Sequence, residues 1–370
     1  MKVAIIHDWL TNLGGAERVV DAMLEAYPDA DLFTSVYDPT RLKLFHKHKV
    51  NTSFIQKIPI AWKKHQLFPV MRRYAFEAID LHDYDVVITS STAEAKGVIT
   101  GEQTFHISYI NTPTRYYWSH YSEYMQNPGF GVLDPLARWQ LRRTIDQNRQ
   151  WDFAAAQRAD KVLGNSKTVV QRIKRYYKRD ASVLYPNVEV ERFTKAHLRP
   201  KEAPEQYFLV VSRLIPYKRV DVAIEAANLA GIDLVVIGSG SQLKQLREIA
   251  GENVHFLTSA SDDQVTAYMQ HAEAFVFPGE EDFGITPVES MAAGVPVIGY
   301  GRGGVAETVL DGITGILVPR QTATAFAEAF GRYRKTDYQS RDLLRQAQRF
   351  DRSQFIQQLK EHVRAGLHER

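Results

Sequence analysis

Residues 274–301 have the sequence AFVFPGEEDFGITPVESMAAGVPVIGYG. The stretch begins with a short apolar run, 274–278, and ends with a second one, 296–301, and both have the length and composition of buried strands. A helical pattern lies between them, so the stretch predicts a strand, a helix and a second, parallel strand. Comparable apolar runs alternate with helical patterns along the chain. The sequence therefore predicts an α/β protein built on parallel sheets.

These apolar runs form two groups, separated at 184–188 by the segment LYPNV and the charged stretch after it. Two doubly wound, Rossmann-like domains of similar size are expected, 1–186 and 187–350, facing one another across a cleft. A last helix, 351–370, is expected to pack back on the first domain. The predicted strands are 3–8, 31–37, 86–91, 106–111 and 161–166 in the first group, and 207–213, 233–240, 254–258, 274–278 and 296–301 in the second.

The composition is that of a soluble globular protein, since 44% of the residues are hydrophobic and 24% are charged. A net charge of +3 is too small to argue for nucleic acid as a partner, and the absence of cysteine excludes disulfides and thiolate metal sites. The first apolar run ends at His7 and has the pattern of a buried strand rather than of a signal peptide. No stretch approaches the roughly 20 apolar residues of a membrane-spanning helix. We therefore expect a cytoplasmic protein.

Basic residues are concentrated in two segments, 56–76 and 171–179. Both resemble interfacial segments that meet anionic lipid or a diphosphate-bearing acceptor, which would place the protein peripherally on the inner face of the cytoplasmic membrane. The alternative is a solvated helix face with aromatic anchors in the core. We favour that alternative for the second segment, and both stay open for the first. The residues concerned are Lys63, Lys64, Arg72 and Arg73 with Trp62, Phe68 and Tyr74, and then Arg172, Lys174, Arg175, Lys178 and Arg179.

The helix inside 274–301 carries a strong start signal. Thr286 would be the N-cap, Pro287 the first helical residue and Glu289 the third, which is the arrangement of a capping box. Because the helix begins just beyond a strand, its unpaired N–H groups would point into the crevice at the sheet edge and suit an anionic ligand. Glu281 and Glu289 could hold hydroxyl groups there, one on a transferred sugar and one on a ribose. The alternatives are a solvated loop acid and a capping residue.

The segment from Glu281 to Glu289, EDFGITPVE, resembles the E-x7-E motif of the retaining glycosyltransferase family 4, and residues 290–298 are similar to that family as well. The family has the fold called GT-B. The resemblance implies that Glu281 contacts the donor sugar and acts in catalysis, and that Glu289 contacts the ribose of the nucleotide. It also implies donor-binding positions between them, at Phe283, Gly284, Ile285 and Thr286.

Two cations follow another predicted strand, in the run SRLIPYKRVD. The resemblance implies that Arg213 and Lys218 bind the donor diphosphate and stabilise the charge of the leaving group in catalysis. The physical need is clear, because breaking a glycosyl phosphate bond leaves negative charge on the diphosphate, and fixed cations lower that barrier. Their position at the carboxyl end of a strand favours this role over that of ordinary surface cations.

Gly14 and Gly15 come after the first strand and open a helix, where the backbone could approach a phosphate or a sugar. A tight turn is the alternative, and the resemblance implies contact with the donor diphosphate. His7 and Asp8, at the end of the same strand, could also reach the cleft. His106 begins a later strand and is expected to be structural.

Gly238 and Gly240 follow a strand of the second domain, and the resemblance implies contact with the nucleotide there. The third glycine of a dinucleotide fingerprint is missing because Leu243 stands at that position, so we expect a nucleotide sugar and no nicotinamide cofactor. Gly303 and Gly304 fit either a loop over the diphosphate or a helix-entry turn.

The Asp-x-Asp motif of metal-dependent transferases occurs twice, at 29–31 and 83–85, but each copy lies before its strand, at the end away from the ligand crevice. A metal is therefore not implied. No cofactor is expected beyond the nucleotide sugar that serves as donor substrate.

The segment 106–118, HISYINTPTRYYW, resembles a stretch of bacterial polysaccharide enzymes of the same family, in which a His-Thr-Pro sequence places a histidine beside the donor sugar. Asn111 stands at that position here. Its amide could donate a hydrogen bond to a sugar hydroxyl but cannot share a proton as imidazole does. We predict a catalytic role for Asn111 and acceptor contacts for Arg115, Tyr116 and Trp118.

The predicted function is that of a retaining glycosyltransferase in bacterial polysaccharide synthesis, such as that of lipopolysaccharide. The resemblance implies retention and favours mannose or a related sugar from a GDP-sugar as the donor, with a saccharide or a polyprenyl-diphosphate-linked saccharide as the acceptor. No convincing nucleophile is present, which fits a same-face displacement in which the leaving phosphate takes the acceptor proton. Two alternatives stay open: a nucleotide-sugar 2-epimerase of GT-B fold, and a non-catalytic nucleotide-sugar-binding subunit.

Overall fold

The computed structural model describes residues 1–59, 62, 64–126, 131 and 134–369. The chain divides into two compact units, which we call the N-terminal and the C-terminal unit. The N-terminal unit comprises residues 1–185 together with the residues from Phe355 onward, and the C-terminal unit comprises residues 186–354. Within the described residues, no helix combines the length and the apolar character needed to span a membrane.

The N-terminal unit is built on a parallel sheet of seven strands among its described residues, in the order β3-β2-β1-β4-β5-β6-β7. The five strands predicted for this half are confirmed. The two others, β3 and β7, are three and two residues long at the sheet edges and are only partly buried, so no apolar run announces them. The strands are β1 (Val3–His7), β2 (Asp31–Thr34), β3 (Val50–Thr52), β4 (Val86–Ser91), β5 (Phe105–Ile110), β6 (Lys161–Gly164) and β7 (Ser182–Val183).

Helices pack on this sheet through apolar stripes. The helices of the chain up to residue 185 are α1 (Gly15–Ala26), α2 (Pro69–Glu77), α3 (Tyr121–Gln126), α4 (Asp134–Gln157) and α5 (Lys167–Tyr177). Val19, Val20 and Met23 of α1 are fully buried and share one core with Val3 and Ile5 of β1. Short 3₁₀ turns occupy Lys43–Phe45, Phe54–Lys57, His65–Leu67 and Ala95–Gly97.

The C-terminal unit is built on a parallel sheet of six strands in the order β10-β9-β8-β11-β12-β13. All five strands predicted for this half are confirmed, and the sequence missed only the edge strand β13, which is half-buried in its middle. The strands are β8 (Phe208–Val211), β9 (Leu234–Ile237), β10 (Val254–Leu257), β11 (Phe275–Phe277), β12 (Val297–Tyr300) and β13 (Gly315–Val318).

Two long helices of the C-terminal unit, α7 (Val220–Ala230) and α12 (Ala323–Arg332), bury their apolar faces in one core with β8, β9, β11 and β12. A 3₁₀ turn at Pro216–Lys218 leads from β8 into α7, and another lies at Lys335–Asp337. The remaining helices are α6 (Val190–Thr194), α8 (Leu243–Ile249), α9 (Asp262–His271), α10 (Ile285–Ala292), α11 (Val305–Thr308), α13 (Ser340–Gln348) and α14 (Arg352–His368).

The last helix, α14, carries the chain from the C-terminal unit into the core of the N-terminal unit. Phe355, Leu359 and Val363 are buried in the same core as β1 and β4. The ring of Phe355 meets Tyr109 edge to face, with 5.9 Å between the centroids. Gly366 lies so close to the Phe105 ring that an added Cβ would come within 2.0 Å of it.

Each sheet reverses its strand order once. In the N-terminal unit β1 lies between β2 and β4, and in the C-terminal unit β8 lies between β9 and β11. In open parallel sheets, ligands bind at the carboxyl ends of the strands where the order reverses. The predicted fold class, two doubly wound parallel sheets, is confirmed, and each sheet has one such switch point.

Two arginines of the first basic segment do not lie on an exposed face. Arg72 and Arg73 of α2 are buried, at 1% and 8% exposure, so for these two the interfacial interpretation is wrong. Arg72 pairs with the buried Glu94, with its Nε 2.8 Å from Oε2, because an arginine can enter an interior only with a counter-charge. Lys63 of this segment lies outside the described residues.

The second basic segment belongs to α5 and to the loop that follows it. Ile173 and Tyr177 are buried, whereas Lys174 and Arg175 are exposed. This is the solvated helix face with core anchors that the sequence favoured.

Candidate active site

Lys218 and Glu281 meet at the switch point of the C-terminal sheet. Lys218 ends the 3₁₀ turn after β8, and Glu281 lies in the loop after β11, 63 residues further along the chain. The Lys218 ammonium donates a hydrogen bond to the Glu281 carboxylate, and the two side chains are 13% and 19% exposed. The fold thus brings a cation and an acid that the sequence selected separately into direct contact at the edge where ligands bind.

Gly279 allows this approach. A Cβ built on Gly279 would lie 3.0 Å from the Lys218 carbonyl oxygen, so the loop after β11 passes directly over the turn after β8. A small pocket opens between the two strand ends, and its lining includes Ser212, Lys218, Phe277 and Glu281.

Arg213 lies in the same β8 loop but is exposed. One Nη donates to the Tyr217 hydroxyl at 3.0 Å, and the Lys218 ammonium lies 5.2 Å from the centroid of the same ring. Tyr217 therefore contacts both predicted phosphate-binding cations. The sequence reasoning missed Tyr217, although its place directly before Lys218 in the run IPYKR was a signal.

The capping box predicted at Thr286, Pro287 and Glu289 is wrong. α10 begins one residue before Thr286, at Ile285, and its N-cap is Gly284, whose φ of +84° is left-handed. The loop needs glycine there because a left-handed backbone suits no other residue so well, and because a Cβ would lie 3.3 Å from the Phe277 ring. Pro287 is then the third helical residue, where its missing N–H still costs no helical hydrogen bond.

The donor-binding positions predicted around this turn differ in their exposure. Ile285, Thr286 and Glu289 are half-buried, so their side chains are partly open to solvent. Phe283 is only 3% exposed, and its ring meets Phe350 with 5.4 Å between the centroids. The Phe283 side chain therefore belongs to the core of the unit.

The glycine pairs of the C-terminal unit serve close backbone packing. A Cβ on Gly238 would lie 1.9 Å from the Ser212 carbonyl oxygen, and one on Gly240 would lie 2.2 Å from that of Leu214. These glycines therefore let the β9 loop press against the β8 loop on either side of Arg213.

Gly303 and Gly304 also allow close backbone packing, against the loop that carries Glu281. The Gly304 amide donates to the Glu281 carbonyl at 2.8 Å. A Cβ on Gly304 would lie 2.2 Å from the Cα of Phe283, and one on Gly303 would lie 2.3 Å from the Glu281 carbonyl oxygen. Gly304 is also the N-cap of α11, as a helix-entry turn requires, and a contact with the diphosphate stays a prediction.

Asp8 lies at the switch point of the N-terminal sheet and holds the loop after β4 in place. Its carboxylate accepts hydrogen bonds from the backbone amides of Thr92, Ala93 and Ala95 at 2.5, 3.0 and 2.7 Å, and from the Thr92 hydroxyl at 3.0 Å. These bonds fix the loop that follows β4, so Asp8 has little capacity left for a ligand.

His7 is the last residue of β1, and its side chain contacts β4 and α1. It is 2% exposed. Its Nδ1 is 3.0 Å from the Ser90 carbonyl oxygen, and its Nε2 is 3.7 Å from Oε1 of Glu17. Burial is the largest influence on the pKa of His7 and acts to lower it. The nearby carboxylate of Glu17, the charge of Asp8 and the Ser90 carbonyl together outweigh burial and raise the pKa of His7 above 6.5.

Asn111 lies just after β5 and, like His7, is hydrogen-bonded to β4. Its Nδ2 donates to the Ser90 hydroxyl at 3.1 Å, and its backbone amide donates to the Ser91 carbonyl at 2.9 Å. The residue is 8% exposed. His106, at the opposite end of β5, is buried, and desolvation lowers its pKa to about 4, which agrees with a structural role.

Tyr116 and Trp118, two of the residues predicted to contact the acceptor substrate, donate hydrogen bonds to buried carboxylates. The Tyr116 hydroxyl donates to Oε1 of Glu94 at 2.9 Å, and the Trp118 indole donates to Oδ2 of Asp152 at 2.8 Å. Asp152 also pairs with Lys96 at 2.6 Å. Glu94, Lys96 and Asp152 are all almost fully buried. Arg115, the third residue of this group, is half-buried, and acceptor binding stays a prediction for all three.

Among the described residues, no group of three or more histidine, aspartate or glutamate side chains is placed to hold a metal ion. One acid of each Asp-x-Asp segment has a hydrogen-bond partner within the protein. The Tyr84 hydroxyl donates to Asp31 at 2.7 Å, and the backbone amide of Lys2 donates to Asp85 at 2.6 Å.

Comparison with known proteins finds a matching family model for part of the chain. Residues 192–350 match the family model described as Glycosyl transferases group 1. The match begins within α6 and ends after α13, so it covers most of the C-terminal unit, with Lys218 and Glu281 inside it.

Curated relatives of the chain include glycosyltransferases. The chain is 26% identical over 294 residues to the D-inositol 3-phosphate glycosyltransferase of Mycobacteroides abscessus, covering 69% of this chain and 65% of that protein. It is 30% identical over 241 residues to the GDP-mannose-dependent alpha-(1-6)-phosphatidylinositol monomannoside mannosyltransferase of Mycolicibacterium smegmatis, covering 54% of this chain and 63% of that protein. The matched part thus spans less than two thirds of the length of these relatives.

Solved structures cover the whole chain. HepE of Anabaena, solved in complex with UDP, matches 99% of this chain and 100% of its own at a TM-score of 0.71 and 18% identity. The sucrose-phosphate synthase of Thermosynechococcus elongatus matches 100% of both chains at a TM-score of 0.74 and 17% identity. These likenesses show the GT-B fold.

Proposed function

We propose that this protein is a retaining glycosyltransferase that moves a hexose from a nucleoside diphosphate onto a saccharide or lipid-linked saccharide. The observation that carries the proposal is the Lys218–Glu281 pair at the ends of the adjacent strands β8 and β11. A cation for the phosphates and a carboxylate for the sugar hydroxyls stand side by side there, at the switch point of a group 1 glycosyltransferase domain.

The chemistry that this pair supports is charge stabilisation and positioning. Cleavage of the glycosyl phosphate bond leaves negative charge on the diphosphate, and Lys218 with Arg213 would offset it. Glu281 would accept hydrogen bonds from sugar hydroxyls and orient the ring. For retention we propose a same-face displacement, in which the leaving phosphate oxygen takes the acceptor proton, because that route needs no enzyme nucleophile.

The donor that we propose is a GDP-hexose, with mannose as the first choice. The mannosyltransferase relative is GDP-mannose-dependent, whereas HepE was solved with UDP and with UDP-glucose. A thermal-shift screen of nucleotide sugars decides between them. A shift confined to GDP-sugars supports this choice, and a shift confined to UDP-sugars overturns it.

We further propose a peripheral contact with an anionic membrane, through the outward face of the first half of α4. No residue from Asp134 to Thr144 is buried, and Leu136 and Trp139 are 57% and 59% exposed. Arg142 and Arg143 are exposed beside them. Apolar side chains flanked by arginines suit the boundary between headgroups and acyl chains. Co-sedimentation with phosphatidylglycerol vesicles should fall in Trp139→Ala, and equal binding by the variant contradicts this surface.

The test of the transferase itself is release of free nucleotide with and without acceptor. Lys218→Ala and Glu281→Gln should each lower kcat by about a hundredfold or more, because each removes a group that acts on the developing charge or on the sugar. Lys335→Ala, which removes a largely exposed pair with Glu273, is the matched control and should leave kcat unchanged. Release independent of acceptor, with inversion at C2 of the sugar, would indicate an epimerase. No turnover by the wild type would indicate a binding subunit.

A further inference from the structure

Arg219, the residue directly after Lys218, has a backbone conformation that side chains rarely adopt. Among the described residues, only two that are not glycine have a positive φ, Lys178 at +55° and Arg219 at +53°. A left-handed backbone is unfavourable for any residue with a Cβ. Lys178 is exposed at the carboxyl end of α5, where a left-handed residue commonly ends a helix. Arg219 lies instead between a 3₁₀ turn and α7, so its conformation needs another explanation.

The backbone of Arg219 joins the turn that carries Lys218 to the helix that follows. The Arg219 amide donates to the Pro216 carbonyl at 3.1 Å, which closes the turn. Its own carbonyl accepts from the Val222 amide at 3.1 Å, in the first turn of α7. A residue in a strained conformation persists only where the surrounding contacts hold it, and such residues cluster at functional sites. The contacts of the Arg219 side chain therefore show what the strain is for.

The Arg219 guanidinium has two partners, and one of them comes from a distant part of the chain. Its Nε lies 3.2 Å from both carboxylate oxygens of Asp221, and one Nη lies 3.0 Å from Oδ2. The other Nη donates to Oε1 of Gln321 at 3.2 Å, across 102 residues of sequence. The planar guanidinium presents its donors in a fixed fork, so Asp221 orients the group that reaches Gln321.

Gln321 continues the contact to the loop that carries Glu281. Its Nε2 donates to the Pro278 carbonyl at 2.8 Å, and Pro278 is the first residue after β11. An arginine only donates and a carbonyl only accepts, so the amide satisfies both partners in a single orientation. The contacts from Arg219 through Gln321 to Pro278 join the turn after β8 to the loop after β11. We call them the Arg219–Gln321 tie.

We propose that Arg219 and Gln321 are positioning residues, which hold Lys218 against Glu281 by tying the turn after β8 to the loop after β11. The inference rests on the proposed function, in which Lys218 and Glu281 act on the donor. The two loops already pass closely at Gly279, where a Cβ would lie 3.0 Å from the Lys218 carbonyl oxygen. The tie fixes their relative position there, and its hydrogen bonds offset the strain at Arg219.

The first experiment measures the thermal midpoint and the dissociation constants of GDP and UDP. Arg219→Gly should unfold near the wild-type temperature, because the strain that it relieves offsets an ion pair whose side chains are 38% and 32% exposed. It should nevertheless bind the preferred nucleotide about tenfold more weakly, as expected when one charge-assisted hydrogen bond is misplaced. Gln321→Ala should weaken binding to the same extent. The double variant should bind no more weakly than either single variant, because both break one tie.

Lys178→Gly is the matched control, since it changes the other left-handed residue to glycine in the N-terminal unit. It should leave the dissociation constant of the nucleotide unchanged. Three outcomes overturn the inference: wild-type nucleotide affinity in Arg219→Gly, additive losses of affinity in the double variant, or a large fall in the thermal midpoint of Arg219→Gly. The last would mean that Arg219 supports the fold in general rather than the position of Lys218.

A second experiment needs no nucleotide. Denaturant unfolding of Lys218→Ala, Glu281→Gln and their double variant gives the coupling between the two side chains, first in the wild-type background and then in Gln321→Ala. The coupling should fall by about half or more in Gln321→Ala, because the two loops are no longer tied. Equal coupling in both backgrounds overturns the inference. A wild type that binds neither GDP nor UDP refutes the proposed function instead, and the coupling still decides whether the tie positions Lys218.

Discussion

The glycines of the C-terminal unit show that a residue singled out for a ligand can also serve backbone packing. The resemblance implied that Gly238 and Gly240 contact the nucleotide, and Gly303 and Gly304 fitted either a loop over the diphosphate or a helix-entry turn. In the structure each is pressed against the backbone of a loop that carries a predicted ligand residue. Substitution of these glycines is therefore expected to displace the loops that carry Arg213 and Glu281.

Gly304→Ala should destabilise the protein by about 1–3 kcal/mol, because its Cβ would lie 2.2 Å from the Cα of Phe283 and backbone must move. The KM of the donor should rise as well, since the loop that contains Phe283 also carries Glu281. Denaturant unfolding and donor kinetics measure the two effects. Gly331→Ala is the control: it lies in α12 with open space around it, and should stabilise by up to about 1 kcal/mol. Equal stability of the two variants contradicts the prediction.

At the scale of elements, strands were predicted more reliably than helix starts. Ten apolar runs matched ten strands because a strand buried in a parallel sheet is apolar along its whole length. The start of α10 was misplaced because the decisive residue, Gly284, takes a left-handed turn against Phe277, which is a contact with another element. A local start signal cannot contain that contact.

The helix α14 depends on a few large side chains for its packing on the N-terminal sheet. Phe355→Ala should cost about 3–5 kcal/mol, because a side chain only 2% exposed would leave a cavity beside Tyr109. Leu367→Ala on the same helix removes an exposed side chain and should change stability by less than about 0.5 kcal/mol. Thermal and denaturant unfolding measure both, and a cost for Phe355→Ala as small as that for Leu367→Ala would show that the helix is not held there.

At the scale of the whole molecule, each unit has its own sheet and its own core, so each should unfold as its own cooperative step. All five tryptophans lie in the N-terminal unit, at positions 9, 62, 118, 139 and 151. Tryptophan fluorescence therefore follows that unit alone, whereas far-ultraviolet circular dichroism follows both.

We expect the transitions seen by these two probes to differ. GDP at about a hundred times its dissociation constant should stabilise the C-terminal unit by about 2.7 kcal/mol and should shift the dichroism transition more than the fluorescence transition. Coincident transitions that move together with GDP would mean that the two units unfold as one.

The sequence by itself determined the class of fold, two parallel sheets, and the charged residues that follow β8 and β11, because strand burial and the residues after a strand are local properties of the chain. It also selected Arg213, Lys218, Glu281 and Glu289 through an ordered resemblance.

Only the tertiary structure decided which charges meet. Lys218 finds Glu281 across 63 residues, His7 is held between Ser90 and Glu17, and Arg72 is buried rather than exposed because Glu94 is there to receive it. A charge can be buried only where a distant part of the chain supplies its partner, so no local pattern reveals which basic residue will lie inside.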